Sequence, residues 1–246
     1  MFKVYHSIYI HAGNIANHIR KKSSILFGPD LNMKGVFLTL EGGEGCGKST
    51  QLELVASALR LRSGRTVVAT RSPGGTPAAE KIRTILKSRE PGEELRPETE
   101  LMLFGACHAQ MCANLIRPAL ESGSIVVSDR FTDSTLVYQG VARGIDPDAV
   151  RRVNDFVCAG VRPDLVIVLD VPVEVGLGRA TVRAGADTAR DRFDSESVSF
   201  HEAVREGFLA LARREPGRFA VVDGAQSPEQ VTESILEAIH DRLAII

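Results

Sequence analysis

The sequence predicts an α/β fold in which helices cover both faces of a parallel sheet. Short apolar, β-branched runs alternate with segments of helical periodicity along most of the chain. This alternation is typical of parallel sheets built from crossover connections. Ligands bind beyond the carboxyl ends of the strands in such sheets. The predicted strands are Val36–Leu40, Arg65–Thr70, Ser124–Ser128, Leu165–Leu169 and Phe219–Val222.

The composition is that of an ordinary globular protein with balanced charge. The 246 residues carry 30 basic and 31 acidic side chains, which gives no support to a nucleic-acid or membrane surface. No apolar run approaches the length of a membrane span. The four cysteines form no C-x-x-C pair, so neither a zinc site nor a disulfide framework is indicated. We therefore expect a cytoplasmic protein with reduced thiols and with no nucleic-acid or membrane partner.

The first 32 residues differ in composition from the rest of the chain. They contain a single acidic residue, Asp30, and the basic cluster Arg20-Lys21-Lys22, whereas Met33 stands just before the first predicted strand. We expect residues 1–32 to be an extension outside the fold. The remainder, 33–246, shows no internal repeat and no low-complexity linker, so it is interpreted as one domain.

The first predicted strand leads into a glycine-rich segment, Gly42–Ser49, that fits the pattern G-x-x-x-x-G-K-[ST]. A strand before it and a helix after it are the context that a phosphate-binding P-loop requires, whereas a plain glycine turn needs neither. Glycines let backbone N–H groups point at phosphate oxygens, Lys48 supplies positive charge for the β and γ phosphates, and the Ser49 hydroxyl can reach Mg²⁺. The expected nucleotide-binding residues are Gly42, Gly43, Glu44, Gly45, Cys46, Gly47, Lys48, Ser49 and Thr50.

Two charged residues, Asp129 and Arg130, close the third predicted strand. They could form a surface ion pair, but the carboxyl end of a parallel strand favours a functional role. We expect Asp129 to lie near Mg²⁺ together with Ser49, and Arg130 to bind phosphate with its guanidinium fork.

Four arginines, Arg179, Arg183, Arg190 and Arg192, follow the fourth predicted strand within a short span. Neighbouring aspartates could make this span a salt-bridged surface. Phosphoryl transfer, however, needs cations around the moving group, and the P-loop contains no arginine of its own. We therefore expect a mobile lid near 179–194, with Arg183, Arg190 or Arg192 as the catalytic cation.

The helix predicted from Pro97 places Phe104 and His108 on one face, one turn apart. Side chains with this spacing are most often core residues. A nucleobase could equally stack on Phe104, with His108 reading its edge by hydrogen bonding.

From about Lys34 onward, five motifs occur in the order found in bacterial thymidylate kinases, and the chain resembles that family. The motifs are Glu41–Thr50, Arg71–Thr76, Asp129–Gly140, Leu169–Leu177 and Asp191–Asp194. The resemblance implies a five-stranded nucleoside-monophosphate-kinase-like fold, a homodimer, and transfer of the γ-phosphoryl group of ATP to dTMP with Mg²⁺. By similarity, the substrate-binding residues are Glu44 at the sugar, Arg71 and Arg130 at the phosphate, Phe104, His108 and Thr135 at the base, and Tyr138 against a ribose hydroxyl.

Several positions depart from the family pattern. Ser72 stands where the family usually has Glu, Val137 where it has Ala, Asp194 where Glu is common, and His108 where it has an arginine that contacts thymine. Imidazole lacks the permanent charge and planar fork of guanidinium. Two alternatives therefore stay open at this point: a kinase of another deoxypyrimidine monophosphate, and a P-loop nucleotide-binding protein without transferase activity.

Overall fold

A computed structural model describes residues 34–89, 91–184, 192–193 and 196–246. The prediction that residues 1–32 form an extension concerns residues outside this range, and much of the predicted lid also lies outside it. The strands are β1 Val36–Glu41, β2 Val67–Arg71, β3 Ile125–Asp129, β4 Leu165–Asp170 and β5 Phe219–Asp223. The helices are α1 Lys48–Ser63, α2 Pro77–Lys87, α3 Pro97–Met111, π1 Cys112–Ile116, α4 Arg117–Glu121, α5 Thr132–Thr135, π2 Leu136–Ala142, α6 Pro147–Cys158, α7 Val173–Ala184, α8 Val198–Arg214 and α9 Pro228–Leu243.

The five strands form one sheet in the order β2-β3-β1-β4-β5, and every neighbouring pair is parallel. The predicted fold class is confirmed, and each predicted strand exists within two residues of its expected bounds. The strand order places β1 at the centre of the sheet. The P-loop therefore leaves the sheet next to β3, which ends in the predicted site residue Asp129.

Strand β1 is buried on both faces because its successive side chains enter two different cores. Leu38 and Leu40 pack in the core that contains α1 and α9, whereas Phe37 packs on the opposite face with residues of α3. Helices on both faces explain why the strand reads as a continuous apolar run rather than an alternating one.

The register of the sheet brings the predicted site residues to one edge. Leu40 is paired with Asp129, and Asp129 is also paired with Arg71 on the other side of β3. The P-loop, Asp129 and Arg71 thus leave adjacent parallel strands at the same level. This is the convergence that the topology predicts.

The helix predicted from Pro97 to Glu121 is divided into α3, π1 and α4. The wider π turn precedes Pro118, whose ring would clash with the carbonyl of Asn114 in a regular α-helix. The periodicity of the sequence predicted the helical run but not this bulge. In the described part of the chain, no helix is both long and apolar enough to cross a membrane.

The start of α7 is in close backbone contact with the P-loop. A Cβ added at Gly45 would lie 1.9 Å from the carbonyl oxygen of Gly176, and a Cβ added at Gly176 would lie 2.4 Å from that of Glu44. Both approaches are far inside van der Waals contact with backbone atoms. Helix and loop can therefore pack this closely only because both positions are glycine.

We expect Gly176→Ala to lower the free energy of unfolding by about 1–3 kcal/mol, because the added methyl group forces the loop and helix apart. A matched control lies two residues further along the same helix, where a Cβ at Gly178 would meet nothing within 4 Å. Gly178→Ala should be neutral or stabilising by up to about 1 kcal/mol. Urea unfolding of the two variants measures the difference, and equal stabilities would contradict the close-contact explanation.

Candidate functional site

A cavity of about 420 Å³ opens at the carboxyl edge of the sheet. Its walls come from the P-loop and α1, the loop after β2, the helices α2 and α3, and the segment that follows β3. The lining residues are Glu44, Gly45, Gly47, Lys48, Ser49, Thr50, Arg71, Ser72, Pro73, Arg83, Lys87, Phe104, Asp129, Arg130, Phe131, Ser134, Tyr138, Gln139 and Phe193.

The P-loop has the backbone geometry of an anion site. Gly42, Gly45 and Gly47 have φ angles of 134°, 65° and 95°, a region that side chains with a Cβ rarely adopt. Helix α1 begins at Lys48 directly after the loop. The free N–H groups and positive dipole end of this helix therefore face the cavity, as phosphate binding requires.

The Lys48 side chain curls back along the P-loop. Its Nζ donates to the carbonyl oxygens of Gly43 at 2.6 Å and Gly42 at 3.3 Å, and lies 3.2 Å from the Cys46 sulfur. These contacts hold the ammonium group at the base of the loop, within the cavity lining. The Lys48 ammonium group therefore lies where phosphate oxygens could replace these carbonyl groups as its hydrogen-bond acceptors.

The two predicted magnesium ligands meet in the structure. The Ser49 hydroxyl donates to an Asp129 carboxylate oxygen at 2.9 Å. A hydroxyl and a carboxylate are hard oxygen donors, which fit Mg²⁺ when phosphate oxygens and water complete its shell. Among the described residues, no group of three or more histidine, cysteine, aspartate or glutamate side chains could hold a metal ion without such help.

Arg130 joins the P-loop to the segment after β3. Its guanidinium donates to the Gly42 carbonyl at 2.9 Å, the Ser134 hydroxyl at 3.1 Å and the Tyr138 hydroxyl at 3.0 Å. It also stacks over the Tyr138 ring. Its backbone is in the left-handed region, with φ of 68°, which is costly for a residue other than glycine.

Arg71 is held at the cavity wall by Glu80 of α2. The guanidinium lies 3.1 Å from a Glu80 carboxylate oxygen, and the same carboxylate accepts the Gly75 N–H at 3.0 Å. Among the described residues, the buried Arg71 Nε group has no hydrogen-bond partner. The Arg71 side chain as a whole is 40% exposed and lines the cavity, so part of it is open to a ligand there.

Glu41, the last residue of β1, is fully buried beneath this network. One carboxyl oxygen accepts from the Phe131 N–H at 2.8 Å, and the other is hydrogen-bonded to the Ser134 hydroxyl at 2.6 Å. Burial, reinforced by the negative charge of Asp133, raises the pKa of Glu41 from 4.5 to about 8. The side chain is thus protonated at neutral pH in the folded protein.

Phe104 and His108 share a face of α3, as the spacing predicts, but only Phe104 lines the cavity. His108 is 1% exposed and packs against Phe131, with ring centroids 5.0 Å apart. Its Nε2 lies 2.9 Å from the hydroxyl oxygen of Ser72, which does line the cavity. The histidine therefore reaches the cavity through Ser72.

The buried carboxylate of Glu100 forms ion pairs and a hydrogen bond with residues near the end of the predicted lid. It is ion-paired with Arg192 and with Arg143 at 3.3 Å, and accepts from Gln139 at 2.5 Å. Arg192 also donates to the Leu86 carbonyl and is not among the lining residues. Of the other two predicted catalytic arginines, Arg190 and the side chain of Arg183 lie outside the described part of the chain.

The structure brings most of the predicted binding residues together, with Thr135 as a clear exception. Thr135 is 1% exposed, donates to the Thr132 carbonyl at 2.9 Å and does not line the cavity. The prediction omitted Arg83 and Lys87, which line the cavity from α2, and also Gln139 and Phe193. The spacing of four between Arg83 and Lys87 directly after the Arg71 loop was a usable signal, since such residues share a helix face.

A P-loop at the central strand, with Arg71, Asp129 and Arg130 lining the same cavity, is typical of P-loop nucleotide kinases. Comparison with known proteins agrees with this class. The family model described as thymidylate kinase matches residues 40–235. The thymidylate kinase of Trichlorobacter lovleyi is 46% identical over 212 residues, 85% of this chain and 99% of the relative, and that of Geobacter sulfurreducens is 48% identical over 211 residues, 85% and 98%.

A solved thymidylate kinase structure from Ehrlichia chaffeensis is 31% identical and superposes with a TM-score of 0.66, covering 84% of this chain and 99% of that chain. The sequence and structural matches thus span the same large part of the chain. The chain belongs to the thymidylate kinase family.

The raised pKa of Glu41 makes stability depend on pH. The folded state keeps this proton up to about pH 8, whereas the unfolded chain loses it near 4.5. The stabilising contribution is therefore complete below 4.5 and is lost as pH rises through 8, with a slope of at most about 1.4 kcal/mol per pH unit. Glu41→Gln has no proton to lose, so its free energy of unfolding should fall less between pH 5.5 and 7.5.

Urea unfolding at these two pH values measures the slope. Glu53→Gln, at an exposed position of α1, controls for the loss of one carboxyl group and should keep the slope of the parent protein. Identical slopes for the parent and Glu41→Gln would contradict a buried protonated carboxyl.

Proposed function

We propose that the cavity beside the P-loop is where this chain brings its two nucleotides together. As a member of the thymidylate kinase family, the chain transfers the γ-phosphoryl group of ATP to dTMP, giving dTDP and ADP for dTTP synthesis. The observation that carries the assignment of roles is the sharing of Gly42: its carbonyl oxygen accepts from both Lys48 and Arg130. One carbonyl group of the P-loop thus connects Lys48, the proposed cation for the phosphates of ATP, with Arg130, the proposed cation for the phosphate of dTMP.

On the donor side, the backbone N–H groups of the P-loop hold the phosphates and Lys48 binds the β and γ oxygens. Ser49 and Asp129 would hold Mg²⁺. When bound, this ion bridges phosphate oxygens and neutralises their developing charge. The acceptor is an anionic phosphate, so no side chain has to act as a strong base.

On the acceptor side, Arg71 and Arg130 bind the phosphate of dTMP, and the base stacks on Phe104. Two observations support this arrangement: the Arg71 side chain is 40% exposed and lines the cavity, and Arg130 is fixed by Tyr138. Glu44 lines the same cavity and is the proposed contact of the sugar. Tyr138 crowds the position of a ribose 2′-hydroxyl and so favours deoxynucleotides.

The catalytic cation is proposed to come from Arg183 or Arg190, with Arg192 in a supporting role. The contact of Arg192 with buried Glu100 supports this division, because a guanidinium already paired there is not available to a moving phosphoryl group. Arg192 also stacks over the ring of Phe193, which lies 6.1 Å from Phe104 at the cavity. Holding Phe193 beside the acceptor is the role that these contacts favour.

We further propose a homodimer in the cytoplasm. The packed helices α3 and α6 carry exposed Met102 and Phe156, which are 55% and 85% exposed and suit a contact between copies. All four cysteines are free, in keeping with a reducing compartment. Sedimentation velocity tests the dimer, and a species of 26.6 kDa at micromolar concentration would contradict it.

Two other functions remain to be distinguished by experiment. His108 motivates a kinase of another deoxypyrimidine monophosphate, because a neutral imidazole replaces the arginine of the family pattern. A nucleotide-binding protein without transferase activity is the second, although Lys48, Ser49, Asp129 and Arg130 all line the same cavity.

An assay of ADP release across dTMP, dUMP, dCMP, UMP and CMP tests the activity. We expect dTMP to give the highest kcat/KM, and Lys48→Ala to reduce turnover at least about 10²-fold, because it removes the charge that stabilises the transferring phosphates. Thermal unfolding of Lys48→Ala controls for folding. Preference for a base other than thymine would favour the first alternative, and absence of turnover in the parent protein would favour the second.

Steady-state kinetics distinguish a supporting role of Arg192, which affects mainly KM, from a catalytic role, which affects mainly kcat. If it acts through Glu100, Arg192→Met should raise the KM for dTMP about 10-fold while kcat changes only a few-fold, and Arg143→Met, which removes another partner of Glu100, should do the same. Arg183→Met and Arg190→Met serve as comparisons for a catalytic cation, whose loss costs about 10³-fold or more in kcat. A loss of that size in Arg192→Met alone would contradict the supporting role.

A further inference from the structure

Ser72 and His108 form a buried polar pair at the wall of the cavity. The Ser72 oxygen lies 2.9 Å from His108 Nε2, and the two side chains are among the buried polar residues of the chain. The other ring nitrogen, Nδ1, is buried and has no hydrogen-bond partner among the residues that the structure describes. Within that part of the chain, His108 makes a single polar side-chain contact, the one with Ser72.

The unpartnered nitrogen fixes the direction of this contact. Burial lowers the pKa of His108 to about 3, so the ring is neutral and only one nitrogen carries hydrogen. Hydrogen on Nδ1 would leave a buried N–H donor unsatisfied, which folded proteins rarely tolerate. Hydrogen on Nε2 leaves only a lone pair unused. The favoured tautomer therefore donates from Nε2 to the Ser72 oxygen.

This direction leaves the hydroxyl hydrogen of Ser72 uncommitted. The Ser72 oxygen accepts from the histidine, and its backbone N–H donates to the Asp129 carbonyl at 2.9 Å. Ser72 belongs to the lining of the cavity that also contains Phe104. A neutral hydrogen-bond donor is therefore presented to a ligand in that cavity, and its orientation is set from behind by His108.

We propose that the Ser72 hydroxyl donates a hydrogen bond to the 4-carbonyl oxygen of the acceptor base, and that His108 is the positioning residue that makes Ser72 a donor. The inference rests on the proposed function, in which the base stacks on Phe104. Position 4 is where thymine and uracil carry an acceptor and cytosine carries an amino donor. Because the Ser72 hydrogen would face that amino group, the pair selects against cytosine.

The test compares kcat/KM for dTMP and dCMP at saturating ATP. Ser72→Ala should lower the value for dTMP about 3- to 10-fold, the effect of one neutral hydrogen bond, and leave that for dCMP unchanged or higher. Discrimination between the two substrates falls by the same factor. Ser72→Thr keeps the hydroxyl group and should restore the ratio. An equal loss on both substrates, or an unchanged ratio, would overturn the proposal.

A second measurement compares two substrates on the same protein, so the ratio of their kcat/KM values does not depend on the fraction of that protein that is folded. The 4-thio analogue of dTMP carries a poor acceptor at position 4, so the parent enzyme should use it about 3- to 10-fold less efficiently than dTMP. Ser72→Ala should use both alike. If Ser72→Ala shows the same preference as the parent, the donor to position 4 is not Ser72.

The positioning role is tested at His108 itself. His108→Met keeps a side chain of similar volume in the core and frees Ser72 to rotate. The ratio of kcat/KM for dTMP to kcat/KM for dCMP should therefore fall in this variant. In the double variant Ser72→Ala with His108→Met, the ratio should fall no further than in Ser72→Ala alone. An unchanged ratio in His108→Met would overturn the role of the histidine. Failure of the proposed function is distinct, because the parent enzyme would then lack dTMP turnover.

Discussion

The contact between the P-loop and α7 is the constraint on which the rest of the site depends. Gly45 and Gly176 allow two backbones to meet where any side chain would separate them. The loop held there presents its N–H groups to phosphate and its Gly42 carbonyl to Lys48 and Arg130. A small displacement of the loop would therefore move Lys48 and Arg130 together, which, in the roles proposed for them, couples donor and acceptor binding to one piece of backbone.

Beneath the loop, a protonated carboxyl rather than an ion pair supports the segment after β3. Glu41 satisfies the Phe131 N–H and the Ser134 hydroxyl, and Ser134 in turn accepts from Arg130. A neutral acid costs less to bury than a charged one, and it does not cancel the positive charge of Arg130. The left-handed backbone of Arg130 is held in place by this network, so the strain lies at the residue that we propose meets the acceptor.

The sequence was sufficient to predict the sheet, the P-loop and the convergence of Arg71, Asp129 and Arg130. The reason is that the carboxyl ends of parallel strands lie at one edge of the sheet, whatever conformation the loops adopt. It was not sufficient to say which helical side chains face the cavity. Thr135 points inward to the Thr132 carbonyl, and Arg192 is paired with Glu100, which in the sequence is only an acid in the first turn of a helix. Those outcomes depend on the rotation of helices and on partners far along the chain, and periodicity carries no information about either.

His108 shows how charge is divided within the cavity. The family resemblance implied that it reads the base, yet burial removes its charge, and its polar contact is with Ser72, which lines the cavity that His108 itself does not reach. A neutral base gains little from a buried cation, which would lose its hydration without an opposite charge to compensate. Phosphates, by contrast, require cations, and the lining supplies Lys48, Arg71 and Arg130. In the proposed arrangement, the cations meet phosphate, whereas the base meets a ring face and an uncharged hydroxyl group, whose direction determines which base is accepted.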